Sequence, residues 1–259
     1  MKFALATGER VEAFAGGRGV CPSCRGEVIA KCGTHRVPHW AHRGIRDCDS
    51  WAEPETEWHR AWKNQFPAEY QECVQHDETG ERHIADVRTN HGLVLEFQHS
   101  HLDPQERAAR ERFYKNMLWI VDGTRLQRDY PRFLKGRDRF TSAGKPGYFL
   151  LPHPDEYLPK MWLDSLVPVI FDFRGNGTGD SSDPYRNVLW CLFPGRAEGF
   201  AVVVGMRPED FVGAASTRLQ LIEVKETLAN ISQVLRELGD QQYRKWLAPQ
   251  RMANRLRHR

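Results

Sequence analysis

The chain has 259 residues, 40% of them hydrophobic and 27% charged, and its 37 Lys and Arg against 34 Asp and Glu leave a net charge of +3. That length supports one large domain or two small ones with real cores, and no apolar run approaches membrane-spanning length. The basic excess is too mild to establish a nucleic-acid ligand by itself, although arginines crowd residues 107–139 and the tail after Tyr243.

In chain order, Phe3 to Thr7 reads as a strand, followed by a turn and a second strand ending at Gly16-Gly17. Met1 to Ala13 lacks the charged-then-apolar plan of a secretory leader, so the cytoplasm is the expected compartment. Residues 21–49 are loop-rich and too short for a core of their own, and such modules need a metal staple. Glu53-Pro54 opens a helix, with proline at a favoured first position, and Pro67 ends it. Trp58, Trp62 and Phe66 form an apolar stripe that reads as core rather than as base-stacking platforms; Glu55, His59 and Lys63 form a separate polar stripe. Strands are predicted at 72–76, 83–88 and 93–98. Asp103-Pro104 caps a second helix running to about Met117, with Glu106 in the capping-box position. Residues 118–123 are a buried strand, which completes an α-β-β-β-α-β order with one parallel pairing after an antiparallel hairpin.

Residues 124–147, basic and glycine-containing, read as a linker or surface excursion. Strand-like runs follow at 148–151, 167–173, 188–193 and 200–206. The glycine-rich loop at 175–183 lacks the strand-to-helix context of a phosphate cradle. Leu221, Val224, Leu228, Ile231, Leu235 and Leu238 mark a long amphipathic helix before a frayed basic tail. The expected fold class is α/β of the α+β kind: a small N-terminal zinc module over 1–50, a mixed sheet with flanking helices over 51–147, and a mixed α/β region over 148–259.

The chemistry concentrates in the strands around Asn90-His91-Gly92. A three-residue loop there, with Gly92 left-handed, sets Asp86 directly opposite Glu96, with Gln98 on the same face as both. Like charges facing each other destabilise a sheet, and a divalent cation such as Mg²⁺ is the commonest reason to keep them. The plain alternative is two solvated acids on an exposed hairpin.

Six cysteines with no secretory leader point to metal rather than disulfides. Cys21 and Cys24 have knuckle spacing, and His39 and His42 offer a second pair, so the sequence predicts a closed Cys2His2 zinc site. Cys48 is able to replace one histidine, and Cys32 is a weaker substitute; the alternative is ordinary thiols beside packing histidines.

Taken together, "CPSC", "VPHWAH", "EPETEWHRAWK", "IADV", "LEFQHS" and "RERFYKNMLWIVDG" resemble, in order and spacing, the competence-protein CoiA-like family of the PD-(D/E)xK nuclease superfamily. The resemblance covers residues 1–123 and implies a restriction-endonuclease-like core. Gln98 stands where the superfamily has its name-giving lysine, and the CoiA-like group is similar in having glutamine there. The resemblance implies that Asp86, Glu96 and the Phe97 carbonyl hold Mg²⁺ or Mn²⁺, with Gln98 orienting water or a phosphate oxygen. It further implies that Glu55, or alternatively Glu57, adds a carboxylate and that His59 binds phosphate or shuttles protons. Lys63, Arg110 and Tyr114 are expected to meet substrate; for Arg110 the alternative is a salt bridge to Glu106 or Glu111. Two functions stay open: a metal-dependent nuclease acting on nucleic acid, expected to be DNA, and a catalytically weak DNA-binding accessory protein for uptake or recombination. Protein partners in DNA processing are compatible with either, no membrane is expected, and the sequence leaves the oligomeric state open.

Overall fold

The computed structural model describes residues 1–44, 48–51, 53–175 and 182–239. Its first sheet is antiparallel and belongs to the N-terminal module: β1 (Phe3–Ala6), β2 (Glu9–Glu12), β3 (Arg18–Val20), β4 (Glu27–Lys31) and β5 (His39–His42), in the order β2-β1-β3-β4-β5. The segment expected to be loop thus supplies two strands, and Ala4, Cys21, Val28, Trp40 and Cys48 form a small core under them.

The second sheet comprises β6 (Gln71–His76), β7 (Arg82–Arg88), β8 (Val94–Gln98), β9 (Met117–Asp122), β10 (Thr141–Ser142), β11 (Tyr148–Leu151), β12 (Val169–Asp172), β13 (Leu189–Leu192) and β14 (Ala201–Met206). Its order is β10-β11-β14-β13-β12-β9-β8-β7-β6, with β8–β9 and β9–β12 parallel and the remaining neighbours antiparallel. The mixed sheet agrees with the expected α+β class. It also runs unbroken across residue 147, because β12 pairs with β9 from Val169↔Trp119 to Asp172↔Asp122.

The helices are α1 (Glu57–Lys63), α2 (Pro104–Tyr114), α3 (Asp129–Arg137) and α4 (Pro208–Thr217), with residues 224–239 also helical. One sheet face packs Val87, Leu95 and Phe97 against Trp58, Trp62 and Phe66, and against Phe211 and Ile231. The other packs Val94, Trp119, Phe171 and Trp190 against Tyr130, Phe133 and Trp162.

Three sequence expectations are corrected. The first helix begins at Glu57, not at Pro54, because Thr56 is extended (φ −100°, ψ 169°) and its hydroxyl accepts the His59 N–H at 3.2 Å; an N-cap of this kind fixes the start more firmly than a preceding proline. Residues 124–147 contain α3 and β10: Tyr130 and Phe133, three apart within a basic stretch, form a buried stripe with Phe133 fully covered. Asp103 does cap α2, accepting the Gln105 N–H at 2.7 Å, but Glu106 turns to Arg110 instead of closing a capping box. The tail beyond residue 239 and most of the glycine-rich loop, 176–181, lie outside the described residues.

Candidate active site and metal centre

The hairpin between β7 and β8 has the expected register. Val87 pairs with Leu95 and Arg88 with Val94, and Gly92 closes the turn at φ 83° with its N–H on the Thr89 carbonyl at 2.9 Å. One step further the ladder stops and side chains take over. The Asp86 N–H donates to Glu96 Oε1 at 3.2 Å, and the Phe97 N–H donates to Asp86 Oδ2 at 3.0 Å. The strands therefore fork where the two acids face each other, while β8 stays paired with β9 through Gln98↔Val121.

A cleft of about 70 Å³ opens at this fork, lined by Asp86, Glu96 and Phe97 together with Glu55, His59, Lys63, Arg110 and Tyr114. Sequence reasoning named all of these; it missed Glu72, Asp49, Trp51 and Glu53, which line the same cleft. Glu72 falls between the ladder pairs Gln71↔Val87 and Cys73↔Ala85, which places it beside Asp86. Its backbone is left-handed (φ 47°), a strained state for a glutamate that its bonds must maintain. The carboxylate accepts the Lys2 and Phe3 N–H groups at 2.6 and 3.0 Å and Lys63 Nζ at 2.9 Å. The turn over Asp77–Gly80 fixes the β6–β7 register, but nothing in the sequence marks the left-handed Glu72.

Lys63 is 3% exposed, and its ammonium lies 2.8 Å from Glu55, 2.9 Å from Glu72 and 3.8 Å from Asp86. Burial alone would lower its pKa, but Glu72, Asp86 and Glu55 together hold it above the usual lysine range. Conversely, Glu55 and Glu72 are held below the usual carboxylate range against the upward pull of burial, in both cases with Lys63 as the leading opposing charge. Glu96 behaves in the opposite way. Burial pushes it up to about 8 and Asp86 adds to the rise, while Arg110 at 3.2 Å opposes both.

The expected substrate-facing groups are already engaged. Arg110 bridges Glu96, Glu106 and the Trp51 carbonyl, the last at 2.7 Å, and it is Arg107 that pairs with Glu111. His59 is buried, with Nδ1 at 3.1 Å from the Thr56 hydroxyl and Nε2 against the Phe97 carbonyl, so both ring nitrogens have partners. Gln98 donates its amide to Glu53 and to the Ser100 carbonyl. The Tyr114 phenol is held well above its usual pKa by burial and by Glu96. Glu55 reaches the cleft from the extended lead-in to α1, where Arg60 Nε bonds it at 3.0 Å, whereas Glu57 is exposed and does not line the cleft.

The second cluster lies in the N-terminal module. Cys21, Cys24, His42 and Cys48 bring four ligand atoms within 4.8 Å of one another, with Cys21 Sγ 3.4 Å from Cys48 Sγ and Cys24 Sγ 3.2 Å from His42 Nε2. Thiolates on a tetrahedral Zn²⁺ at about 2.3 Å would sit roughly 3.7 Å apart, so this set can hold zinc with small adjustment. Four protein ligands, two of them buried, make a closed site of the structural kind. The knuckle forms because Arg25 turns left-handed (φ 63°), which brings the Gly26 N–H to Cys24 Sγ at 3.4 Å.

His39 is not part of this cluster, which corrects the Cys2His2 expectation. Histidines three apart share a side on a helix, but β5 is a strand, and alternation sends Trp40 and His42 inward and His39 outward. Its Nδ1 bonds the Val37 carbonyl at 2.9 Å instead. Cys48 takes the vacated position and Cys32 is exposed.

The two clusters are joined through residues 48–55. Asp49 follows Cys48 and accepts the Ile84 N–H at 2.9 Å and His83 Nδ1 at 2.8 Å. Trp51 stacks on His83, and Glu53 meets Gln98.

Residues 9–50 match the family model described as "Competence protein CoiA, N-terminal domain". The match covers the N-terminal module and supports a competence-related role. No curated protein and no solved structure matches the chain. Among the described residues no helix is long and apolar enough to cross a membrane.

Proposed function

We propose that the forked hairpin is the centre of a nuclease that hydrolyses DNA phosphodiester bonds with Mg²⁺ or Mn²⁺, on a PD-(D/E)xK-type core, as part of the handling of incoming DNA. The observation that carries this reading is the convergence of Asp86 and Glu96 with Glu55, Glu72 and Lys63 around one cleft where two strands part. The match to the CoiA N-terminal domain supports the competence setting. Asp86, Glu96 and the Phe97 carbonyl offer only oxygen donors, the set a hard divalent cation takes. Such an ion, when bound, polarises the phosphate and acidifies a bound water.

The chain's own residues supply the remainder. Glu96 must give up the proton that burial makes it retain, so it becomes a ligand only in the ionised state. Lys63 keeps the carboxylates from repelling one another and brings positive charge toward the phosphate as its oxygens gain charge. Arg110, a planar fork beside Glu96, is shaped for a phosphate oxygen once Glu96 turns to a cation. Gln98 does not line the cleft; its amide, given to Glu53 and the Ser100 carbonyl, holds Glu53 in place, and it cannot act as a base. His59, bonded at both nitrogens, fixes the Phe97 carbonyl rather than carrying protons.

A second reading, a DNA-binding accessory protein with little catalysis, is favoured by one observation: Arg110 and His59 already occupy the Glu96 and Phe97 oxygens. Purified protein incubated with single- and double-stranded DNA in Mn²⁺, Mg²⁺ or EDTA, beside Asp86→Ala, separates the two. Metal-dependent cleavage lost in the variant is the expected result; binding without cleavage in either metal selects the accessory reading.

A further inference from the structure

Beside the carboxylate cleft lies a groove of about 260 Å³ between β5 and the lead-in to α1, and Met1, Glu53 and Glu55 line both, so the two spaces adjoin. The outer wall of the groove carries Arg36 and His39. Arg36 is exposed and has no ion pair or hydrogen bond among the described residues. His39, turned away from the metal cluster by strand alternation, spends Nδ1 on the Val37 carbonyl and leaves Nε2 toward solvent or a ligand. Of the two carboxylates on the facing wall, Glu55 is neutralised by Arg60 and Lys63, while Glu53 holds the Gln98 amide and its charge acts on Arg110. The wall is held in place, because Arg60 also donates to the Pro38 carbonyl at 2.8 Å.

We propose that this groove binds the sugar–phosphate backbone of the nucleic-acid strand next to the phosphate in the cleft, with Arg36 contacting a phosphate and the His39 ring packing beside it. The assignment rests on the nuclease reading for its direction, since a strand leaving a cleft with room for one phosphate would pass the wall that carries Arg36, a guanidinium without an ion pair among the described residues. A free guanidinium recognises phosphate oxygens through two parallel N–H groups, whereas the same residue on an idle surface contributes nothing to a DNA complex. The N-terminal module would then hold substrate as well as support the fold.

The test uses the full chain with its zinc and a fluorescein-labelled single-stranded oligonucleotide in Ca²⁺, read by anisotropy across a salt series. Arg36→Ala is expected to weaken binding about tenfold at low salt and to reduce the slope of log K against log salt by about 0.7, the loss of one single-strand phosphate contact. Arg36→Glu should weaken binding further, His39→Ala should weaken it with little change of slope, and Arg207→Ala, at a paired exposed arginine before α4, should leave it unchanged. Zinc content and melting temperature equal to wild type confirm that the variants fold. Cleavage of bis(p-nitrophenyl) phosphate in Mn²⁺, a diester too short to reach the groove, should be the same in wild type and in the Arg36 and His39 variants. Wild-type affinity and slope in Arg36→Ala and Arg36→Glu overturn the groove. Absence of cleavage of either substrate by wild type overturns the nuclease reading instead, and the anisotropy series still decides the groove.

Discussion

The cysteine–histidine cluster holds four ligands, the number a tetrahedral ion takes, in a knuckle whose turn is made by its own backbone. The carboxylate cleft holds more charge than any one ion needs: Asp86, Glu96, Glu55 and Glu72, countered by Lys63 and Arg110. The first arrangement would saturate a zinc ion and leave no position for substrate, which suits a staple for a small module. Under the proposed nuclease reading, the second leaves donors that would exchange partners when a phosphate arrives. The difference teaches that the number of ligands relative to the ion's demand, more than the presence of metal-binding residues, separates support from reaction.

Removing the buried cation tests the crowded side of that comparison. Lys63→Met leaves buried Glu72 without its cation and Glu55 with Arg60 alone, and a loss of about 3 kcal/mol in urea unfolding is expected. The closed side responds differently: Cys48→Ser should release zinc and cost about 3 kcal/mol, roughly 10 °C in melting temperature. Next comes pH. Because the Glu96 pKa is raised to about 8, its proton must leave before a cation binds, so Mn²⁺ affinity should rise about tenfold per pH unit up to that value and level off above it. Isothermal titration at several pH values should also show one proton released per ion below about 8. Smallest is His39→Ala, expected to retain zinc and to change stability by less than about 0.5 kcal/mol, because His39 contributes no ligand; loss of zinc in that variant would restore the histidine pair that strand geometry removes.

The sequence made the hairpin legible because Gly92 and strict alternation leave one register in which Asp86 meets Glu96. It made α2 legible through Asp103-Pro104, and the parallel strand β9 through its unbroken apolar run. Glu72 was not visible, because its role depends on a left-handed residue inside a strand and on backbone groups of Lys2 and Phe3 some seventy positions away. His39 was misassigned because C-x-x-C and H-x-x-H look alike on paper, while the first folds as a turn and the second as a strand. The continuity of the nine-stranded sheet was equally hidden, since nothing local in residues 167–173 names β9 as the partner of β12.

The most direct measurement is Mn²⁺ binding followed by electron paramagnetic resonance, with zinc counted in the same samples, for wild type, Glu96→Ala and Cys48→Ser. The account predicts one zinc and one Mn²⁺ in wild type, zinc retained but Mn²⁺ lost in Glu96→Ala, and zinc lost in Cys48→Ser. Equal Mn²⁺ binding by wild type and Glu96→Ala would contradict it.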